Sequence, residues 1–126
     1  MASKHILKAH LIFFVKYRKK LLQGKLNEHM KAILVEISEN SDFIIEVIET
    51  DKDHVHMMID DIPRLSISSI VNRLKAVSTN RIWKLYPNHL KKHFWQERTF
   101  WSDGYFVCSI GEASPDTIRR YIETQG

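Results

Sequence analysis

Apolar and polar residues alternate near the start of the chain. The odd positions from Leu7 to Val15 are all apolar, whereas the even positions include Lys8 and His10. Successive side chains of a β-strand point to opposite faces, so this pattern predicts a strand with one buried face and one more open face.

Two further β-rich runs, Phe43 to Glu49 and His54 to Asp60, lie on either side of a break at Asp51-Lys52-Asp53. They predict two short strands joined by a turn. In the second run we expect one face to be buried in the core, formed by Val55, Met57 and Ile59. The other face would carry His54, His56, Met58 and Asp60.

Two longer segments repeat apolar residues with helical spacing. The second of them follows Ser66, whose hydroxyl can cap a helix. The apolar positions of the first segment are Leu26, Met30, Ile33, Leu34 and Ile37. Those of the second are Ile67, Ile70, Val71, Leu74, Ile82 and Leu85.

The last third of the chain begins with a polar, basic and aromatic segment from Tyr86 to Arg98, which we expect to be an irregular loop. A further strand is predicted from Phe100 to Ile110, ending at Gly111. Ser114-Pro115 is typical of a helix start, a capping hydroxyl followed by proline at the first helical position.

The predicted order is strand, helix, strand, strand, helix, strand, helix. Its first six elements match the ferredoxin-like, or split βαβ, plan of the α+β class, an antiparallel sheet with helices packed on one face. A C-terminal helix carrying Tyr121 is added to this plan. The 126 residues suit one domain, spanning residues 1–126, with a sizeable core.

The charge and the cysteine content of the chain limit the classes of protein to which it can belong. The net charge of +4 and the pI near 9.2 favour an anionic partner, although many soluble domains share such values. The single Cys108 excludes an internal disulfide and a cysteine-cluster zinc site, and its apolar surroundings favour a buried structural thiol. We see no signal peptide and no apolar stretch approaching ~20 residues, so we expect a cytoplasmic protein without a membrane segment.

Two residue pairs carry candidate chemistry. His54 and His56 would project from one face of a strand, roughly 7 Å apart, so their imidazoles could share a metal ion. Tyr121 and Gln125 are four residues apart in a helical segment and would share a helix face. Taken alone, a strand histidine pair is more often solvated or hydrogen-bonded, and a helical tyrosine more often packs in a core.

Several strings in order along the chain resemble the single-tyrosine transposases of the HUH endonuclease superfamily. These enzymes are carried by the smallest bacterial and archaeal insertion sequences, and REP-associated tyrosine transposases are related to them. The strings are Lys16-Tyr17-Arg18-Lys19-Lys20, His54-Val55-His56 followed by Asp60 and Pro63, Trp101-Ser102-Asp103-Gly104-Tyr105-Phe106-Val107 with Gly111, and Tyr121-Ile122-Glu123-Thr124-Gln125.

The resemblance implies a complete reaction. His54, His56 and Gln125 would bind a divalent cation, Mg²⁺ or Mn²⁺. Tyr121 would cleave single-stranded DNA, keep the 5′-phosphate as a phosphotyrosine and release a 3′-hydroxyl. Family members are dimers that recognise imperfect hairpins at element ends, with the tyrosine helix of one subunit serving the histidine pair of the other.

Other residues have two open interpretations. The basic residues could contact DNA phosphates or form solvated surfaces; they are Lys16, Arg18, Lys19, Lys20, Arg73, Arg119 and Arg120. Four aromatic residues could stack on unpaired bases or pack in the core or an interface; they are Tyr17, Trp83, Trp95 and Trp101. Asp60 could support the metal site or be an ordinary strand-end aspartate, and His10 could lie at the surface or approach DNA.

Three alternatives remain at the level of sequence. A domesticated relative would use the same chemistry on dispersed chromosomal hairpins. A replication or conjugation nickase of the same superfamily is commonly larger, with a different arrangement of histidines and tyrosines. A noncatalytic RRM-like nucleic-acid-binding module would explain the fold and charge, but would give His54, His56, Tyr121 and Gln125 no reason to coincide.

Overall fold

A computed structural model describes residues 6–63, 66–109 and 115–124. The strands are β1 (Ile6–Phe14), β2 (Ile44–Asp51), β3 (His54–Pro63) and β4 (Phe106–Ser109). The helices are α1 (Gly24–Glu39), α2 (Ile67–Leu85), α3 (Pro87–Phe94) and α4 (Pro115–Thr124). The strands form an antiparallel sheet in the order β2-β3-β1-β4, which confirms the predicted ferredoxin-like plan.

One face of the sheet lies against the apolar stripes of α1 and α2, which also contact each other. Leu11 and Phe13 of β1 are fully buried there, beside the predicted core residues Val55, Met57 and Ile59 of β3. Alternation in the strands and helical periodicity in α1 and α2 therefore converge on a common core, as the sequence predicts.

The second face of the sheet is more covered than the sequence suggests. Ile12 and Phe14 of β1 point to this face, yet they are 0% and 4% exposed. The register places Ile12 between His56 of β3 and Phe106 of β4, and Phe14 opposite His54. Helix α4 lies over this region, so the prediction of an open face is wrong for these two residues.

The prediction of an irregular loop from Tyr86 to Arg98 is wrong, because eight residues of this segment form α3. Pro87 occupies the first turn, where its fixed φ suits a helix. Leu90 and Phe94, four residues apart, are the buried residues of the helix. This two-residue apolar stripe is too short to stand out among basic neighbours.

The prediction of a strand from Phe100 to Ile110 is wrong about its length, because the observed strand is much shorter. Phe100 and Trp101 are buried, and Trp101 forms an isolated bridge with Val15, but β4 begins only at Phe106. Between them the ammonium group of Lys75 donates hydrogen bonds to three successive carbonyl oxygens, at 2.8 to 3.0 Å, of Ser102, Asp103 and Gly104. These three carbonyls therefore accept hydrogen bonds from a side chain, and not from the backbone of a neighbouring strand.

The remaining predictions have mixed outcomes. Cys108 is half-buried on β4, opposite His10, so the thiol is less buried than expected. Ser66 directly precedes α2 but makes no side-chain capping bond. Pro115 does begin α4, whereas Ser114, Gly111 and Ile110 lie outside the described residues. Within the described part of the chain, no helix is long and apolar enough to cross a membrane.

Candidate active site

The β2–β3 hairpin places His54 and His56 on the second face of the sheet, as predicted from their spacing. Asp53, in the turn before β3, has Oδ1 2.9 Å from Nδ1 of His54. A carboxylate bound to one ring nitrogen fixes the imidazole and leaves the other nitrogen available, which is the usual arrangement of a metal-binding histidine. The His54 side chain is thus oriented before any cation arrives.

His56 is held by a second histidine. Nδ1 of His10 lies 2.9 Å from Nε2 of His56, so one ring donates and the other accepts. Burial, and next the charge of His10, lower the pKa of His56. The lowered pKa favours the neutral form of His56, which a metal requires, and binding of a cation through Nε2 would replace the contact with His10.

The donor types fit a divalent cation, although the complete ligand set is not on the described residues. Imidazole nitrogens suit several first-row metals and an amide oxygen suits Mg²⁺ or Mn²⁺. Gln125, the expected third ligand, lies outside the described ranges. Among residues 6–63, 66–109 and 115–124, no three His, Cys, Asp or Glu side chains are grouped to hold a metal. Asp60 instead lies 3.8 Å from Nζ of Lys8.

Tyr121 of α4 packs on the same face of the sheet. Its ring centroid lies 4.7 Å from that of Phe106 and 5.7 Å from that of Phe14. Phe14 in turn lies 5.3 Å from the imidazole of His54. Burial raises the pKa of the Tyr121 phenol, so the proton is present at neutral pH and has to leave during any attack by this oxygen.

Arg18 connects the histidine side of the site to the tyrosine helix. Its Nε and Nη2 donate to Oδ2 of Asp53 at 2.9 and 2.8 Å, and its Nη1 donates to the backbone carbonyl of Ile122 at 3.0 Å. The guanidinium also lies 4.6 Å from the centre of the Phe14 ring. These contacts give Arg18 a structural role at the site in addition to its positive charge.

A cavity of about 160 Å³ lies beside Tyr121. It is open to one side and lies at the junction of β1, the loop before β4 and α4. Its walls are Phe14, Val15, Tyr17, Arg18, Ser102, Gly104 and Tyr121. The carbonyl groups bound by Lys75 therefore belong to the segment that shapes this cavity.

The other basic candidates are spread over the molecule. Lys16 is paired with Glu97 at 3.3 Å, and Arg119 is paired with Asp116 at 2.9 Å on the exposed surface of α4. Arg73 lines a separate cavity of about 330 Å³ between the end of α1 and the start of α2. Lys19 is half-buried, and Lys20 and Arg120 are exposed. The structure therefore brings Arg18 into the site, and Arg73 lies apart from it.

Sequence reasoning missed three residues of this site. Asp53 was assigned only to the break between strands, Phe14 only to a strand, and His10 to the surface or to DNA. An aspartate directly before a candidate metal-binding histidine is a signal that could have identified Asp53. The role of Phe14 depends on packing between β1 and α4, which local sequence patterns cannot predict.

The sequence matches the model of the family described as "Transposase IS200 like" over residues 3–125. It is 33% identical over 119 residues to the ISDra2 transposase TnpA of Deinococcus radiodurans, covering 94% of this chain and 84% of that protein. It is 30% identical over 118 residues to the IS200 transposase of Salmonella typhimurium, covering 94% and 76%.

Two solved structures are similar in fold. A protein from Deinococcus radiodurans R1 described as a transposase has a TM-score of 0.86 at 30% identity, over 99% of this chain and 95% of its own. A REP-associated tyrosine transposase bound to a REP hairpin has a TM-score of 0.58 at 12% identity, over 98% of this chain and 67% of its own. At that identity the second similarity is one of fold.

We predict that Arg18→Ala releases α4 from the sheet, because it removes the bonds to Asp53 and Ile122 together. Hydrogen bonds to a charged group contribute about 1.5–3 kcal/mol. Amide hydrogens of residues 116–124 should therefore exchange about 10-fold faster or more, measured by mass spectrometry. The control is Lys20→Ala, an exposed residue of the same basic run. Unchanged exchange in Arg18→Ala would show that Arg18 does not hold the helix.

Proposed function

This chain belongs to the IS200-like transposase family, and we propose that it cleaves and rejoins single-stranded DNA through Tyr121. A transposase of this family is a DNA-cleaving enzyme. The observation that carries the finer proposal is the position of Phe14, whose ring contacts both Tyr121 and His54. A candidate nucleophile and a candidate metal ligand thus lie on one face of the sheet, around one side chain.

The proposed cleavage step exchanges one phosphodiester for another. Oη of Tyr121 attacks phosphorus, the bond from phosphorus to the 3′-oxygen breaks, and the 3′-hydroxyl leaves with a proton. The phenolic proton is lost, and the 5′-phosphate remains on the tyrosine. Attack by a different 3′-hydroxyl then releases Tyr121 and joins two strands without an external energy source, as strand transfer requires.

We further propose that His54, His56 and Gln125 hold Mg²⁺ or Mn²⁺. When bound, such a cation supplies positive charge next to the phosphate oxygens. Two groups of the protein favour such binding: Asp53 orients His54, and burial lowers the pKa of His56, which favours its neutral form. The raised pKa of Tyr121 means that the phenol carries its proton at neutral pH, so a base has to accept that proton when the oxygen attacks.

The proposed substrate is single-stranded DNA with a hairpin near the cleavage site, handled by a homodimer. A solved neighbour of the same fold is described as bound to a REP hairpin. The positive net charge of this chain is suitable for such a partner.

In the structure α4 lies against the sheet of its own chain through Arg18 and Phe14. We propose that α4 also takes a second position, in which Tyr121 serves the partner's histidines.

An insertion element is favoured over a domesticated chromosomal role. The insertion-sequence transposases match at 30–33% identity over 94% of this chain, whereas the REP-associated protein matches at 12%. The family match also argues against a noncatalytic binding module, which would require neither Tyr121 nor the histidine pair. A search of the surrounding DNA for matched hairpin ends would test the element assignment.

We expect Tyr121→Phe to abolish a covalent protein–DNA adduct while hairpin binding and folding are retained, because only the phenolic oxygen is removed. Denaturing gels with labelled, hairpin-bearing single-stranded DNA measure the adduct. Tyr86→Phe, at the end of α2, removes a hydroxyl elsewhere and should leave the yield unchanged. A full yield of adduct with Tyr121→Phe would rule out this residue as the nucleophile.

Removal of the metal should stop cleavage without unfolding the protein. His54→Ala and His56→Ala should each weaken Mn²⁺ binding by at least about 10-fold, measured by calorimetry, because a ligand is lost. His89→Ala on the exposed side of α3 serves as the matched control. Cleavage by the parent protein at its full rate in excess chelator would contradict the metal mechanism.

Active sites shared between subunits can be detected by mixing two inactive proteins. One carries Tyr121→Phe, and the other carries His54→Ala with His56→Ala. If the tyrosine of one chain serves the histidines of the other, heterodimers regain one complete site and adduct formation returns. Subunit exchange has to be verified by a size tag on one protein. Verified exchange without any recovery would favour sites formed within a single chain.

A further inference from the structure

The four aromatic residues that could stack on bases fall into two groups in the structure. Trp83 and Trp101 are 6% and 4% exposed, whereas Tyr17 and Trp95 are 62% and 77% exposed. The indole N–H groups of the buried pair donate to the Thr99 carbonyl at 2.7 Å and to the Ser78 hydroxyl at 2.9 Å. Trp83 and Trp101 therefore belong to the core, and Tyr17 and Trp95 are available to a ligand.

The exposed pair belongs to one surface because Glu97 connects them. The Tyr17 hydroxyl donates to Oε1 of Glu97 at 2.9 Å. The backbone N–H of Glu97 donates to the carbonyl of Phe94 at 2.9 Å, which closes a tight turn around Trp95. Tyr17 thus contacts the turn that presents Trp95, and we call this region the Tyr17–Trp95 surface.

Both aromatic residues have a left-handed backbone. The φ angles are 63° for Tyr17 and 56° for Trp95. Such angles are costly for bulky side chains, and strained residues of this kind cluster at functional sites. The backbone is held on both sides: Lys16 N–H donates to the Phe100 carbonyl at 2.8 Å, and Trp95 N–H donates to the Lys91 carbonyl at 2.9 Å. The two rings are therefore presented to solvent by a fixed backbone.

The charges around this surface suit a polyanion. Lys91 and Lys92 are exposed near the end of α3. Burial, then the charge of His89 and then that of Lys19 lower the pKa of His93, so Lys19 of the basic run near Tyr17 lies within electrostatic range of the end of α3. The Glu97 carboxylate that accepts the Tyr17 hydrogen bond is also paired with Lys16 at 3.3 Å, and Asp103 lies within electrostatic range of Tyr17.

The surface is also continuous with the candidate active site. Tyr17 and Tyr121 both line the cavity of about 160 Å³. A DNA strand whose phosphate lies at Tyr121 would meet the ring of Tyr17 next, and the turn at Trp95 beyond it. Aromatic rings and cations along such a path are the usual components of a single-strand binding track.

We propose that the Tyr17–Trp95 surface stacks unpaired bases of the DNA strand next to the scissile phosphate. This inference rests on the proposed function, since it takes Tyr121 as the site of cleavage. It adds the location and the chemistry of a second contact: rings bind the bases, and Lys19, Lys91 and Lys92 attract the phosphates. Because every base has an aromatic face, this contact accepts any base sequence.

The test measures affinity in a Tyr121→Phe background, so that DNA is not cleaved. Two fluorescent probes are compared by anisotropy, a hairpin with an unpaired extension across the cleavage site and the same hairpin without it. Tyr17→Ala and Trp95→Ala should each weaken binding of the extended probe about 10-fold, because each removes a ring on which a base stacks. Binding of the blunt hairpin should not change. Tyr17→Phe and Trp95→Phe keep the rings and should retain the parent affinity.

Two further variants are controls for effects of backbone strain and of shortening an exposed apolar side chain. Tyr17→Gly removes the ring while accepting the positive φ without strain, and should weaken binding as Tyr17→Ala does. Ile44→Ala shortens an exposed apolar side chain at the far end of β2 and should bind both probes like the parent. Thermal melting verifies that every variant is folded.

The outcomes separate this inference from the proposed function. If the parent forms the covalent adduct but the alanine variants bind both probes with parental affinity, the stacking surface is refuted alone. Dissociation of a dimer by Trp95→Ala in sedimentation, with equal loss of affinity for both probes, would also overturn it, by identifying a subunit interface. A parent that forms no adduct refutes the proposed function, while the affinity difference between probes still decides whether bases are stacked here.

Discussion

The arrangement of the candidate site depends on the guanidinium group of Arg18. It binds the carboxylate of Asp53, which orients His54, and it binds a carbonyl of the helix that carries Tyr121. Its central carbon also lies 4.6 Å from the centre of the Phe14 ring, which lies between the two candidate catalytic groups. A guanidinium can make all these contacts because its donors lie in one plane and diverge, which an ammonium group cannot reproduce.

The two halves of the site are held by different forces. His54 and His56 belong to β3, which is hydrogen-bonded to β1 on one side and to β2 on the other. Their backbone positions are therefore fixed by the sheet. Tyr121 is held by ring packing on Phe14 and Phe106 and by the bond from Arg18 to the carbonyl of Ile122. Contacts of this kind form and break more readily than the hydrogen bonds of a sheet, which is compatible with the proposed movement of α4 between two positions.

Much of this architecture could be predicted from the sequence, because periodicity is a local property. Two patterns identified the core: the alternation of apolar and polar residues in β1 and β3, and the apolar stripes of α1 and α2. The two-residue spacing of His54 and His56 alone placed them on the same face of the sheet. Failures arose where distant residues decide the structure. Three carbonyls are held by Lys75 where a strand was expected, and Arg18 reaches Ile122 across 104 positions in the chain. No local pattern encodes such contacts.

The core has a consequence for damaged copies of the protein. The hydrophobic cluster that joins the sheet to α1 and α2 draws its described members from residues 9–101, before β4 and α4 begin. A chain interrupted within α4 would therefore keep most of the apolar burial that stabilises the fold. Such a chain would also keep Tyr17, Trp95 and the basic residues around them. If these residues bind DNA as proposed, truncated copies would occupy the unpaired strand next to the cleavage site without cutting it, and would act as competitive inhibitors of the intact transposase in the same cell.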